Sequence, residues 1–256
     1  LSGMVSASAQ MQYVDNDACQ DDLSLSTPKF TREASPLDTL RKYILTPKAP
    51  DTPRINGAKV FGVRPGSQFL YTIPATGIRP MTFSVENLPK GLKVNTETGR
   101  TTGSIQKAGE YIVTFIAKNS LGEAKRNFKI VVGDKIALTP PMGWNSWNCW
   151  GHAVSQEKVL SSAKAMVEKG LINHGWQYIT IDDGWQGLRG GKYNGVMTNS
   201  KFPDMKGLAD AVHAMGLKIG IYSGPWVGTY AGHIGAYCDN PDGTYDWVER
   251  YANEYY

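Results

Sequence analysis

Hydrophobic positions along the chain fall into two regimes. Between residues 57 and 133 they come as short β-branched or aromatic runs: Phe69-Leu70-Tyr71-Thr72-Ile73, Met81-Thr82-Phe83-Ser84-Val85, Tyr111–Ile116 and Phe128–Val132. Turn signals separate the runs, among them Pro65-Gly66, Thr76-Gly77, Lys90-Gly91, Thr98-Gly99, Ala108-Gly109 and Leu121-Gly122. Short strands between frequent turns predict an all-β sandwich. After Asp134 the period changes. Val159, Leu160, Ala163, Met166 and Val167 recur at helical spacing within Ser155–Lys169, with Ser155 placed as N-cap and Gly170 just past the end. A second helix is predicted over Gly207–Met215, with Leu208, Ala211, Val212 and Met215 on one face and Gly216 as its stop.

Between these helices lie nearly continuous apolar runs, as expected of strands covered on both faces by helices. Ile136–Trp147 reads as a first strand and its exit, Tyr178–Asp182 as a second and Leu217–Tyr222 as a third. Tyr245–Tyr256 opens a further helix. The order β-α-β-α-β-α is that of an opening (β/α)8 barrel. A full barrel needs ~250 residues, so residues 134–256 hold about the first three of its eight units. A three-stranded parallel sheet leaves two unpaired edges, which favour aggregation. The protein is therefore expected to continue past Tyr256.

The amino-terminal stretch differs from both regimes. Residues 10–56 are polar and carry Pro28, Pro36, Pro47, Pro50 and Pro53, with one short amphipathic segment, Pro36–Leu45; the remainder reads as linker. Leu1–Ala9 has small residues at Ala7 and Ala9, the A-x-A spacing of a signal-peptidase site. It reads as the remnant of a signal peptide and implies export to the periplasm, the cell surface or the medium. No run of 18 apolar residues exists, so no membrane-spanning helix is expected.

Composition narrows the function only a little. A net charge of +4, with 20% of residues charged and the basic ones scattered, argues against a nucleic-acid partner. The three cysteines, Cys19, Cys149 and Cys238, are too few for a disulfide framework, and only Cys149 and Cys238 are placed to share a domain. His152, His174, His213 and His233 are scattered, which suits surface or packing roles better than metal ligation. No phosphate-binding glycine loop and no cofactor signature occurs. Aromatic residues reach 11%, which suits either core packing or stacking on sugar rings.

Three phrases carry the candidate chemistry: Pro140–Asn148, Ile181-Asp182-Asp183-Gly184-Trp185 and Gly220-Ile221-Tyr222-Ser223. In a barrel of this type ligands bind at the carboxyl ends of the strands, and all three phrases fall there. Successive side chains of a strand point to opposite sides. Asp182 and Asp183 can therefore share one pocket only where the strand ends and the backbone turns at Gly184. Two neighbouring carboxylates form a clamp for sugar hydroxyls. Trp147 and Trp185 are placed to wall the pocket and stack on the ring, and Tyr222 adds a hydroxyl. Taken singly, Asp-Asp-Gly is an ordinary turn signal and Trp144 and Trp147 are ordinary core residues. Their combination at three consecutive strand ends favours a sugar site.

Thr139–Trp150, Tyr178–Trp185 and Lys218–Ser223, together with Phe202-Pro203-Asp204 and Gly207-Leu208, resemble the first three barrel strands of glycoside hydrolase family 27, the melibiase-type α-galactosidases. The phrases Leu88–Leu92, Asn95–Gly99, Gly109–Tyr111 and Ala117–Gly122 resemble the immunoglobulin-like, cadherin-like module attached to bacterial glycosidases, a segment with no catalytic constellation that reads as a rigid spacer. The first resemblance implies retaining hydrolysis of terminal α-D-galactosyl residues from oligo- or polysaccharides, without a cofactor. It implies that Asp182 and Asp183 grip the O4 and O6 hydroxyls, that Trp147 packs on the sugar and that Tyr222 lines the pocket. An axial O4 held by a carboxylate would select galactose over glucose, whose epimeric hydroxyl leaves that carboxylate unpaired. The resemblance also puts the nucleophile on the fourth strand and the acid/base on the sixth, both beyond Tyr256. Asp239, Asp242 and Asp246 sit in a Gly/Pro-rich loop or at a helix start and are not promoted to those roles.

One departure bears on specificity. Family members commonly follow the third-strand Tyr-Ser with Asp and then a disulfide-forming Cys. Here the run is Tyr222-Ser223-Gly224-Pro225-Trp226, and Trp226 could add a stacking surface. Activity on β-L-arabinopyranosides, α-N-acetylgalactosaminides or isomalto-type glucans stays open, as does carbohydrate binding without turnover.

Overall fold

The structure, a computed structural model, describes Tyr43 and residues 45–237. The leader reading at Leu1–Ala9, most of the Pro36–Leu45 segment, the helix expected at Tyr245–Tyr256, and both Cys19 and Cys238 lie outside the described residues. Both regimes of the sequence fall in one compact unit that begins at Ala49.

The first regime folds as a sandwich of two sheets. Strands β2 (Val60–Val63), β5 (Thr82–Glu86), β8 (Gly109–Asn119) and β9 (Gly122–Val132) form one sheet in the order β2-β9-β8-β5. Strands β3 (Gln68–Thr72), β6 (Leu92–Val94) and β7 (Arg100–Ser104) form the other in the order β3-β7-β6. The four expected strands are all present, with β9 starting six residues before Phe128. The β8–β9 hairpin runs well beyond the apolar runs at its centre, in register from Gly109↔Val132 to Asn119↔Gly122. Its outer positions are polar, and cross-strand pairing rather than hydropathy extends it. A small pair, β1 (Arg54–Ile55) with β4 (Ala75–Thr76), starts within the stretch read as linker. Phe69, Tyr71, Phe115 and Phe128 meet between the sheets, with the Phe115 and Phe128 rings stacked at 4.4 Å.

The second regime is a three-stranded parallel sheet. It holds β10 (Gly143–Asn145), β11 (Tyr178–Ile181) and β14 (Lys218–Ile221) in the order β10-β11-β14. The first strand is much shorter than Ile136–Trp147 suggests. The chain leaves it at once into a short helix, α1 (Trp147–Trp150). Helix α2 (Gln156–Glu168) begins as expected, with the Ser155 hydroxyl accepting from Lys158 N–H at 3.3 Å and satisfying one of the helix's orphan donors. Val159, Ala163 and Met166 are buried, and Leu160 and Val167 pack beside them. Helix α3 (Met205–Ala214) starts two residues before the expected Gly207, because Asp204 caps it by accepting from Gly207 N–H at 2.8 Å. An antiparallel hairpin, β12 (Gln186–Gly190) with β13 (Gly195–Thr198), follows β11 and was not expected from the sequence. Its apolar residues are too sparse to show alternation. The parallel strands form an open sheet, with Ile221 on the end strand 51% exposed.

The sandwich packs against the amino-terminal ends of the parallel strands. Asn56 donates to the Asn173 carbonyl at 3.0 Å and Arg79 to its side-chain oxygen at 2.9 Å. Arg100 donates to the Ala214 carbonyl. No helix among the described residues is long and apolar enough to cross a membrane.

Candidate functional site

The three phrases meet at the carboxyl ends of β10, β11 and β14. At the exit of β10, Ser146 is fully buried; its N–H donates to the Thr180 carbonyl at 3.1 Å and its hydroxyl accepts from Asp182 N–H at 2.9 Å. Next to it, Asn145 Nδ2 donates to Asp182 Oδ2 at 2.7 Å, while Asn145 Oδ1 accepts from Trp147 N–H at 2.8 Å. The Asn-Ser-Trp phrase thus locks the first strand exit onto the second, and it sets where Trp147 starts its helix. Asn145 and Ser146 belong to the site, although the sequence reading singled out neither. Their only signal was their place beside Trp147.

The two carboxylates are held differently. Asp182 is half-buried, and its Oδ1 accepts from Asp183 N–H at 2.8 Å. Asp183 is only 1% exposed. Its Oδ1 accepts from Gln186 Nε2 at 2.7 Å and its Oδ2 from Ala231 N–H at 3.2 Å. The sequence reading describes a clamp of two neighbouring carboxylates. In the structure Asp182 is the open arm, and the loop after β14 lies over Asp183. Gly184 makes the expected turn with a φ of +103°, and a Cβ there would sit 3.2 Å from the Val154 side chain. A carboxylate has about four acceptor positions, so each keeps capacity for a hydroxyl donor.

The aromatic residues divide in the same way. Trp147 and Tyr222 are half-buried at the sheet's edge, and Trp226 is 38% exposed on the loop. Trp185 departs from its expected place as a stacking wall. It is buried in the core with Val154, Ile181 and Phe202, and its Nε1 donates to the Tyr222 carbonyl at 2.8 Å. The core claims it because it follows directly on the Gly184 turn, which lies against Val154. It then braces the exit of β11 against that of β14, and its face is not available to a sugar.

One contact was invisible in the sequence. His152 Nδ1 and His233 Nε2 lie 3.0 Å apart, and the His152 ring meets Trp147 edge-on at 5.1 Å. Separated by 81 positions, they share no spacing that could announce them. Such a bond needs one N–H and one lone pair, so the two rings cannot both be protonated within it. Burial holds the His233 pKa below its usual value, assisted by His152 and Lys201 and opposed by Asp183. Among the described residues no group of three or more His, Cys, Asp or Glu could hold a metal ion, and Cys149 is exposed with a free thiol.

The arrangement can bind a small polyhydroxylated ring: carboxylate acceptors on one side, half-buried indole on another, at the carboxyl end of a parallel sheet. Residues 139–248 match the family described as "Alpha galactosidase A", and residues 52–133 match the family described as "Putative Ig domain". Residues 139–248 form a segment similar to the melibiase family. The chain is 47% identical over 106 residues to alpha-galactosidase A of Cellvibrio japonicus, which covers 40% of this chain and 26% of that protein. It is 46% identical over 95 residues to alpha-galactosidase of Coffea arabica, covering 36% of this chain and 25% of that one. The chain therefore spans about a quarter of the length of these curated relatives. A crystal structure of a "putative alpha-galactosidase" from Bacteroides fragilis superposes with a TM-score of 0.70 at 40% identity, covering 75% of this chain and 42% of that one. A second from the same organism, a "putative alpha-galactosidase/melibiase", gives 0.68 at 43% identity, covering 72% and 40%. The melibiase segment thus follows an immunoglobulin-like module in one chain.

Proposed function

We propose that the melibiase segment supplies the galactosyl-binding part of a glycosidase site, and that the whole protein hydrolyses terminal α-D-galactosyl residues from oligo- or polysaccharides with retention. The observation that carries this reading is the Asp182–Asp183 pair, each carboxylate braced by the protein and each keeping spare acceptor positions at a parallel strand end. Asp182 is the open arm for a sugar hydroxyl. Asp183 is reached when a hydroxyl shares the oxygen now turned to Ala231. Trp147 offers an apolar face to the ring, Tyr222 a hydroxyl, and Trp226 a surface on the rebuilt loop. Trp185 acts behind them as a brace. In this reading the melibiase segment forms the first units of a (β/α)8 barrel. The nucleophile and the acid/base of retaining catalysis are assigned to no residue of this chain. Export of the whole protein is proposed from the Ala7/Ala9 spacing alone, and amino-terminal sequencing of the natural protein would test it.

The 256-residue chain is then expected to bind methyl α-galactoside and not to hydrolyse it. Calorimetric titration checks the first half and release of nitrophenol from an aryl α-galactoside the second. In the whole protein, Asp182→Asn and Asp183→Asn each lower kcat/KM by more than a hundredfold. A loss of only about tenfold, ~1.4 kcal/mol in the barrier, means the clamp is misassigned. Because the loop after Tyr222 departs from the family pattern, the same titration with β-L-arabinopyranoside, α-N-acetylgalactosaminide and isomaltose compares the alternative glycons. Binding by the whole protein without any turnover would favour a carbohydrate-binding role.

A further inference from the structure

We infer that the immunoglobulin-like module is a positioning part of the sugar site rather than a spacer beside it, because Thr72 ties together the starts of the two strands that present Asp182, Asp183 and Tyr222. The inference rests on the galactoside-binding reading for what the site binds, though not for how the strands are held.

Thr72 ends β3 of the sandwich, and its hydroxyl and carbonyl both cross the junction. Its hydroxyl donates to the Gly216 carbonyl at 2.8 Å, two residues before β14. Its carbonyl accepts from Gln177 Nε2 at 2.6 Å, one residue before β11. Lys218 then closes the circuit by donating to Gln177 Oε1 at 3.0 Å. The Lys218 ammonium also lies over three rings: Phe61 and Tyr71 from the sandwich, at 4.7 and 5.1 Å, and Tyr178 from β11, at 5.1 Å. One threonine of the module therefore fixes β11 and β14 at the same level, and the lysine locks them to each other. Gly216 leaves no slack. Its φ is +83°, and a Cβ there would stand 2.4 Å from Thr72 Oγ1.

The other ends of these strands carry the candidate site. Asp182 lies five residues beyond Gln177 and Tyr222 four beyond Lys218. A strand is stiff along its axis at ~3.3 Å per residue, so displacement at its start appears at its end. Hydrogen bonds to sugar hydroxyls tolerate only a few tenths of an ångström, and a site loosened by about 0.5 Å loses function. The buried bonds at the junction are costly to leave half-made, which makes the level of the strands well determined. The superposition on the Bacteroides fragilis structure takes in 75% of this chain, more than either module alone, so the two modules keep a common placement there.

The test uses the full 256-residue chain. Thr72→Val replaces the hydroxyl with a methyl group and keeps the shape; Thr72→Ser keeps the hydroxyl and loses the methyl. Hydrogen exchange of the β11 and β14 amides is followed together with calorimetric titration of methyl α-galactoside. Thr72→Val is expected to speed exchange in both strands at least tenfold, to leave the β8–β9 hairpin unchanged and to weaken galactoside binding at least fivefold. Thr72→Ser should return both to the parent values. Unchanged exchange in both strands, or equal behaviour of Ser and Val, overturns the positioning role. If Thr72→Val does not fold, Gln177→Met replaces it, since it keeps a long side chain while losing the bond to the Thr72 carbonyl. Unchanged exchange in β11 then overturns the role. Failure of the unsubstituted chain to bind the galactoside overturns the function reading alone, and the exchange measurement still decides the positioning role.

Discussion

The sandwich and the melibiase segment solve the same burial problem in different ways. The sandwich encloses its core between its own two sheets, with Phe69, Tyr71, Phe115 and Phe128 interdigitated and no helix needed. The melibiase segment has three parallel strands, covers them with α2 and α3, and leaves Ile221 half open on the end strand. The sandwich is complete in itself, whereas the segment takes part of its order from the sandwich through Thr72, Gln177 and Lys218. The difference locates the chemistry. The self-contained region carries no candidate site, and the dependent region carries all of it, where open strand ends and loops can present carboxylates.

Tryptophan gives a direct way to probe this dependence. All seven tryptophans lie at or beyond Trp144, so indole fluorescence reports the melibiase side alone. The largest effect is expected from Phe128→Ala. The ring is stacked on Phe115 and lies 4.6 Å from Tyr71, and such truncations cost about 3–5 kcal/mol. The substitution is in the sandwich, yet the fluorescence-detected unfolding midpoint should fall with the circular-dichroism midpoint. A fluorescence midpoint that stays at the parent value would break the comparison and make the segment independent.

A smaller effect comes from pH. Burial pulls the Lys218 pKa down to about 7 from 10.5. The unfolded chain therefore binds more protons than the folded one between these values, and stability rises with pH across that window. Below pH 7 the charged lysine is carried in both states and its desolvation penalty is fully present. The three ring faces attract the charged form and oppose the shift. Stability is thus expected to increase by at most about 2 kcal/mol between pH 7 and pH 9, measured by urea unfolding. Lys218→Met should abolish the increment. An identical increment in that variant would place its origin elsewhere.

The smallest effect tests a purely local feature. Ser155→Ala removes the N-cap of α2 and should cost about 1 kcal/mol, read as a shift in the urea midpoint. Exchange at the β8–β9 hairpin should not change. A change there would mean that order passes from the segment back to the sandwich, against the asymmetry drawn above.

Much of this was legible along the chain because it depends on neighbours in sequence. The runs at Phe69–Ile73 and Phe128–Val132 announce strands, the spacing of Val159, Ala163 and Met166 announces α2, and Ser155 its start. Asp182-Asp183-Gly184 announces a strand end with two carboxylates, since only a glycine turn lets both face one pocket. Other features depend on partners distant in sequence. Hydropathy could not show that Trp185 turns inward, because an indole suits a core and a sugar equally and only the packing around Val154 and Phe202 decides. It could not separate the open Asp182 from the covered Asp183, because the loop that supplies Ala231 N–H comes 48 positions later. Nor could it bring His152 to His233, or Thr72 to Gly216 across 144 positions. The amino-acid sequence by itself determined the main strands and helices and the chemical vocabulary of the site, through local periodicity and turn geometry. Tertiary structure decided which arm is open, which indole is buried and what holds the strands level, because those are outcomes of long-range packing that no local pattern records.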